Sequence, residues 1–368
     1  MTPADQNWLS TGIRANTTRV AGYPADCGKS KPRVAPSLIH SRPPRKRLLE
    51  STTMSLPSSM YRVKVPPIKI QGIKTKLVPF IASHIQWDGH GTYYEPFMGS
   101  GVVGFNLAPE RAVFSDVNPH LINFYKAVQT GEVTAWKVRD YLEEEAPKLA
   151  QTPADKHSYY YEVRERFNET ASPFDFLFLQ RSNFNGMMRF NSKGAYNVPF
   201  CRKPERFKPA LITKIVNQVH WVEQLFAQRP QWQFELVEFS EVIDRAEAGD
   251  FIYLDPPYIG RHDEYFSTWD QGKADLLARI VQCSDAGYAL SMWHSNQYRE
   301  NAHLDSWTGE LRTTAHFYHV GASEKNRNAM TEALVISPEN AVPLSDVQPL
   351  NRKVEEVEEP AEEVLALF

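Results

Sequence analysis

A chain of 368 residues with 42% hydrophobic, 12% aromatic and 23% charged side chains is long enough for one large domain or two ordinary ones and apolar enough to bury a full core. No stretch reaches the roughly 18 uninterrupted apolar residues of a membrane helix, no secretory layout follows Met1, and the three cysteines include no close pair, which excludes a membrane protein, a disulfide framework and a cysteine-rich zinc site and makes a reducing cytosol the natural home. The net charge of -3 conceals nine basic side chains against three acidic ones over 1–60, and seven acidic against two basic over 341–368.

In chain order, residues 1–60 are rich in Pro, Ser, Thr and Arg and carry no apolar periodicity, so they read as a flexible basic leader, with Met54 and Met60 as alternative starts. From Lys74 the pattern is helical, with Leu77, Ile81 and Ile85 on one face. Tyr93 to Phe97 then predicts a strand ending in the turn Gly99-Ser100-Gly101, followed by a helix through Val103 and Leu107. Ala112 to Ser115 predicts a second strand ending at Asp116, with a helix from Pro119 to Val128. Strand Phe251–Leu254, a helix over Asp275 to Cys283 and strand Tyr288 to Met292 come later. The runs around Thr313 to Val320 and Ala333 to Ser337 suit an antiparallel edge hairpin. This alternation predicts an α/β architecture with a mostly parallel sheet, formed by 61–130 and 246–340. Between them, 131–245 reads as a separate, mainly helical lobe, and 341–368 as an acidic tail. From Arg181 to Lys214 that lobe holds eight basic residues and one acid, Glu205, the electrostatic footprint of a phosphate backbone or else a solvated face.

Three constellations carry chemistry. Glycines at the carboxyl end of a first strand let the backbone approach a ligand in the crevice of an open α/β sheet. The turn lacks a Gly-Lys-Ser/Thr ending, which disfavours a nucleoside triphosphate. Asp116, twenty-one residues after Glu95, suits a carboxylate accepting from both ribose hydroxyls of a nucleoside cofactor, or a helix cap ahead of Pro119. The most specific signal is Asp255-Pro256-Pro257-Tyr258 after an apolar strand. Two prolines leave adjacent carbonyls unpaired and rigidly aimed. The carboxylate and a proline carbonyl can then accept the two hydrogens of an amino group on a flat base, on which the tyrosine stacks.

With these residues in view, the sequence resembles the Dam-type adenine-specific DNA methyltransferases over most of 65–337. Lys69-Ile70-Gln71-Gly72-Ile73-Lys74 is similar to the family's opening Lys-Trp-x-Gly-Gly-Lys, with Ile70 and Ile73 as departures. Glu95 to Gly101 looks like its cofactor loop, Ser115 to Asn118 like its second motif, and Asp255 to Tyr258 matches its catalytic motif. Phe184 to Asn191 with Gly194 to Phe200 resembles its recognition hairpin. The resemblance implies a Rossmann-like methyltransferase fold with an inserted DNA-recognition domain. It also implies methyl transfer from S-adenosylmethionine to the 6-amino group of an adenine flipped out of double-stranded DNA, by a cytoplasmic, monomeric enzyme of a bacterial, archaeal or phage-infected cell. Catalysis would fall to Asp255, Pro256, Pro257 and Tyr258, and Phe266, eight residues on, would be a second wall of the base pocket or else a core aromatic. The cofactor would be held by Lys69, Lys74, Glu95, Phe97, Gly99, Gly101, Asp116 and Asp255. Asn185 would enter the duplex, Arg189 would read a guanine edge, and Lys193, Arg202, Lys203 and Arg206 would meet phosphates. The histidines show no ligand spacing, so no metal is implied. Two alternatives are an RNA or protein-amide methyltransferase of the same fold and a non-catalytic DNA-binding relative.

Overall fold

The computed structural model describes residues 63–258, 269–295, 300–317 and 329–347; the basic leader, Phe266 and the acidic end from 348 lie outside them. Seven strands form one sheet: β1 (Tyr93–Glu95), β2 (Ala112–Asp116), β3 (Gln233–Leu236), β4 (Phe251–Leu254), β5 (Gly287–Ser295), β6 (Glu310–Phe317) and β7 (Ala329–Ile336), in the order β3-β2-β1-β4-β5-β7-β6. β1 to β5 run parallel, and β7 lies antiparallel to both β5 and β6. The mostly parallel, Rossmann-like sheet is the one the strand–helix alternation predicts. The C-terminal hairpin is antiparallel as expected, with the later strand, β7, taking the inner place.

The sequence reading misses β3, which lies inside the 131–245 segment yet pairs Val113 with Gln233 and Asp116 with Leu236. It is an edge strand with one of its four residues buried and Leu236 51% exposed, so the apolar run that marks an inner strand is absent.

Because successive strand residues face opposite ways, the sheet feeds two cores. Tyr93, Phe114, Phe251 and Tyr253 enter one; Tyr94, Val113, Ile252 and Leu254 enter the other. The first core runs without a break into helices α4 (Ala135–Gln151), α5 (Tyr159–Thr170), α6 (Pro173–Ser182) and α7 (Pro209–Gln228). The helices that the sequence sets apart as a lobe therefore share one hydrophobic core with the sheet. Each of α4, α5 and α6 begins at a hydroxyl cap, Thr134, Ser158 and Ser172, which satisfies an orphan amide of the first turn. A polar tie joins the three: Arg166 of α5 binds Asp175 of α6 at 2.6 and 2.9 Å and Glu145 of α4 at 3.0 Å.

Helices α2 (Val102–Leu107) and α3 (Pro119–Gln129) follow β1 and β2. The Phe105 ring of α2 meets Phe114, Tyr125, Phe226 and Trp232 with centroids 5.1–5.7 Å apart. This aromatic hub fixes where the glycine turn before α2 must sit.

Candidate active site

The strand order reverses between β1 and β4: the chain builds outward to β2 and β3 on one side, then to β4 and β5 on the other. At such a switch point the loops leaving the strand ends diverge and open a crevice. The glycine turn follows β1, Asp116 ends β2 and Asp255 follows β4. The chain thus brings three sequence-predicted groups to one edge.

The turn is a cross-braced loop. Gly99 and Gly101 have φ of +47° and +72°, and a Cβ on Gly101 would stand 2.5 Å from the Phe105 ring, so both conformation and space demand glycine there. Asp116 accepts from the Gly99 amide at 3.1 Å and from the Asn118 amide at 2.9 Å. Asn118, not Asp116, caps α3, accepting from the His120 amide at 3.0 Å; the helix-cap reading of Asp116 gives way to its neighbour two residues on. Burial raises the Asp116 pKa to about 6 against the pull of those amides. Glu95 is 2% exposed; its Oε2 accepts from Tyr93 Oη and from the Gly104 amide, both at 3.0 Å. That commits one of its oxygens to bracing α2, and burial raises its pKa to about 8. Phe97 lies between Phe239 and Trp269, 5.5 and 5.3 Å away, as part of an aromatic wall.

Asp255 meets a cation from far away in sequence. Lys74, 4% exposed, places Nζ 2.8 Å from Asp255 Oδ1. The same ammonium donates to Tyr258 Oη at 3.2 Å and to the Gly72 carbonyl at 3.4 Å. Tyr258 Oη donates to Glu332 Oε2 at 3.3 Å. Burial raises the Asp255 pKa, while Lys74 opposes the rise by charge and hydrogen bond. The net direction is a rise, which the Lys74 ammonium limits by favouring the charged, hydrogen-bond-accepting form.

The two opening lysines part company. Lys69, assigned with Lys74 to the cofactor by resemblance, packs its aliphatic stem along Gly186, with carbons about 3.2 Å from where a Cβ would stand. Burial lowers its pKa, and Arg206, Arg181 and Lys203 lower it further, so it belongs to the basic cluster beside the hairpin. Arg181 there is held by neutral acceptors, the Pro67 carbonyl at 3.1 Å and Gln218 Oε1 at 2.7 Å.

The hairpin forms where predicted, closed by bridges Asn183–Phe200 and Phe190–Tyr196. Asn191 shapes its turn by accepting from the amides of Lys193 and Ala195 at 2.9 and 3.0 Å. Arg189 spans it, with Nε 2.7 Å from Asn197 Oδ1 and Nη2 3.1 Å from the Asn197 carbonyl. Asn185 is exposed with φ +56°, next to Phe184, which is 48% exposed. Lys193, Arg202 and Lys203 are exposed and Arg206 half-buried. Behind the hairpin, Asn118 Nδ2 touches Met188 Sδ and the His120 ring stacks on Phe190, so the second motif and the hairpin share a joint.

Glu332 escapes the sequence reading. A lone glutamate in the apolar strand Ala329–Ile336 is costly to bury without a partner, and that is a signal in itself. Phe184 enters the reading only as the first residue of the hairpin stretch, with no role of its own.

Comparison with known proteins gives the family. Residues 71–329 match the family model described as D12 class N6 adenine-specific DNA methyltransferase. The chain is 30% identical over 231 residues to the DNA adenine methylase of Haemophilus influenzae, covering 61% of this chain and 75% of that protein. It is 29% identical over 275 residues to the DNA adenine methylase of Serratia marcescens, covering 70% and 95%. It is also 28% identical over 204 residues to a type II methyltransferase of Lactococcus lactis subsp. cremoris, covering 53% and 66%. With more than half its length matched and its strand ends, glycine turn and Asp-Pro-Pro-Tyr motif gathered at one crevice, the chain belongs to the D12 class of N6 adenine-specific DNA methyltransferases.

Proposed function

We propose that the protein methylates the 6-amino group of an adenine extruded from double-stranded DNA, with S-adenosylmethionine as the methyl donor. The observation that carries the reading is Asp255-Pro256-Pro257-Tyr258 at the end of β4, one strand from the glycine turn of β1.

The donor's fit rests on the groups present at the crevice. Asp116 has one bond from an amide on each oxygen, and a carboxylate oxygen has a second lone pair for a ribose hydroxyl. Above Gly99 a Cβ would meet only Ile70 Cδ1, at 3.8 Å, so there is room for a ligand against the backbone. Gly99, Gly101, Asp116, Lys74 and the wall containing Phe97 would hold the donor, with Glu95 bracing the turn from behind. When bound, the donor supplies an electrophilic methyl group on a sulfonium.

The protein supplies position and electrostatics. The target base must leave the stack, because its amino nitrogen is inaccessible inside a duplex. Asp255 and the Pro256 carbonyl accept the two amino hydrogens, which draws the nitrogen lone pair out of conjugation with the ring; Pro257 keeps the loop rigid and Tyr258 stacks on the base. Lys74 holds Asp255 in its accepting form. Arg189, Asn185 and Phe184 face the duplex, the last as an apolar wedge. Lys193, Arg202, Lys203 and Arg206, joined by Lys69, meet phosphates.

The test is transfer of labelled methyl from S-adenosylmethionine to duplex DNA, followed by nucleoside analysis. The expected result is label in N6-methyladenine, lost in Asp255→Ala while duplex binding persists. Label in another nucleoside, or an Asp255→Ala variant with normal turnover, overturns the proposal.

A further inference from the structure

We infer that Glu332 is a positioning residue for methyl transfer, acting through the Tyr258 hydroxyl to fix the ring on which the extruded base stacks. This rests on the proposed function above and adds to it a residue from β7, far from the motif in sequence.

Glu332 lies 77 positions after Asp255. β7 runs antiparallel to β5, so its early residues lie at the edge where β4 and β5 end; Glu332 pairs with Trp293, near the end of β5. Its side chain is 1% exposed in a strand whose next four residues, Ala333 to Ile336, are all buried and apolar. A carboxylate so placed loses its hydration and must be compensated by specific partners. One of these is Tyr258 Oη, donating at 3.3 Å. That hydroxyl in turn accepts from Lys74 Nζ at 3.2 Å, and the same ammonium is 2.8 Å from Asp255 Oδ1.

The order Glu332, Tyr258, Lys74, Asp255 is a continuous chain of contacts from β7 to the proposed acceptor of the amino group. A tyrosine that only had to stack would need no hydroxyl, since phenylalanine presents the same face. Here the hydroxyl is held between an acceptor and a donor, which fixes the ring's tilt and its rotation about the Cβ–Cγ bond. Lys74 also stands 5.2 Å from the ring centroid, so a ring that swings changes the ammonium's surroundings as well. Losing Glu332 would let the ring and the ammonium move together, away from the geometry in which Asp255 and the stacking face act on one base.

The charge has a separate consequence. Asp255 is faced by Lys74 from the opening segment, Glu95 from β1, Tyr253 from β4 and Glu332 from β7. Of these, Glu332 adds to the rise in the Asp255 pKa. A neutral isostere at 332 therefore lets Asp255 ionise at lower pH.

The experiment compares wild type, Glu332→Ala, Glu332→Gln, Tyr258→Phe and the Glu332→Ala/Tyr258→Phe double variant in full-length protein. It reads kcat, KM for duplex, the pH profile, and the fluorescence of 2-aminopurine at the target position as a report of stacking. Glu332→Ala should lower kcat about tenfold to a hundredfold, the worth of one hydrogen bond to a charged group. KM for duplex should stay within about twofold, and 2-aminopurine should be less quenched. Tyr258→Phe should lose a similar factor, and the double variant no more than the worse single one. Glu332→Gln keeps an acceptor, so it should recover most of kcat, with the acid limb displaced to lower pH. Losses that multiply in the double variant, unchanged kcat in Glu332→Ala, or a Glu332→Gln variant as slow as Glu332→Ala would overturn the inference. If Glu332→Ala does not fold, Glu332→Gln and Tyr258→Phe carry the test through the acid limb and the fluorescence. A wild type that leaves adenine unmethylated refutes the proposed function instead, so the two failures are distinct.

Discussion

At Glu95 a buried carboxyl has its pKa raised to about 8, above any value it would have in the unfolded chain. The folded state therefore binds a proton more tightly than the unfolded state, and stability falls as pH rises from the unfolded pKa through about 8. Thermal unfolding of the wild type from pH 5 to 9 should show a midpoint falling by several degrees, and Glu95→Gln, which cannot ionise, a flatter dependence. Equal slopes would show that Glu95 is not the group responsible. Gly104 touches the same carboxyl: a Cβ there would lie 2.4 Å from Glu95 Oε2 and 2.3 Å from the Phe114 ring, so Gly104→Ala should cost about 1–3 kcal/mol of stability through overpacking. Arg189 carries two duties, because its guanidinium already spans the hairpin to Asn197. Arg189→Ala should therefore relax sequence preference and also loosen the hairpin, weakening cognate duplex by about 1–3 kcal/mol and unrelated duplex by less. Binding isotherms on both duplexes decide it; equal losses would make Arg189 a structural strut alone.

The elements hold the site through few, large contacts. Phe105 is the hub of α2, and Phe105→Ala should destabilise the protein by about 3–5 kcal/mol while freeing the turn at Gly101. Denaturant unfolding gives the stability change, and donor binding should weaken in the same variant. Arg166 is the tie of α4, α5 and α6, and its removal takes from Asp175, 3% exposed, the cation it pairs with, and leaves Glu145, 4% exposed, to Lys148. Arg166→Ala should cost about 3 kcal/mol, with amide exchange rising in those three helices before the sheet. Uniform exchange across the molecule would show that the helices do not open apart from the sheet, as their shared core permits.

Over the whole molecule, a formal charge of -3 means that any polyanion must be met locally. The basic side chains proposed to do so come from three separate places: Lys69 before α1 (Val78–His84), Lys193 in the hairpin turn, and Arg202, Lys203 and Arg206 after the hairpin. Lys203→Ala should weaken cognate and scrambled duplexes alike and reduce the salt slope of binding by about one. A loss confined to the cognate duplex would give Lys203 a reading role instead.

The sequence by itself determined the chemistry and the class of fold. Asp255 to Tyr258 is a contiguous motif whose function depends on local backbone, with two prolines removing two amides, and the strand–helix alternation is a local periodicity that a parallel sheet must show. Most strands were legible for the same reason, and the recognition hairpin through its resemblance to the family's. Only the tertiary structure decided what depends on distant chain segments meeting. It placed Lys74 on Asp255, sent Lys69 to the hairpin, moved the cap from Asp116 to Asn118, returned β3 to the sheet and set Glu332 behind Tyr258. None of these leaves a periodic trace, because an edge strand has no apolar run and a buried charge is defined by its partner, which the linear sequence places 74 or 181 positions away.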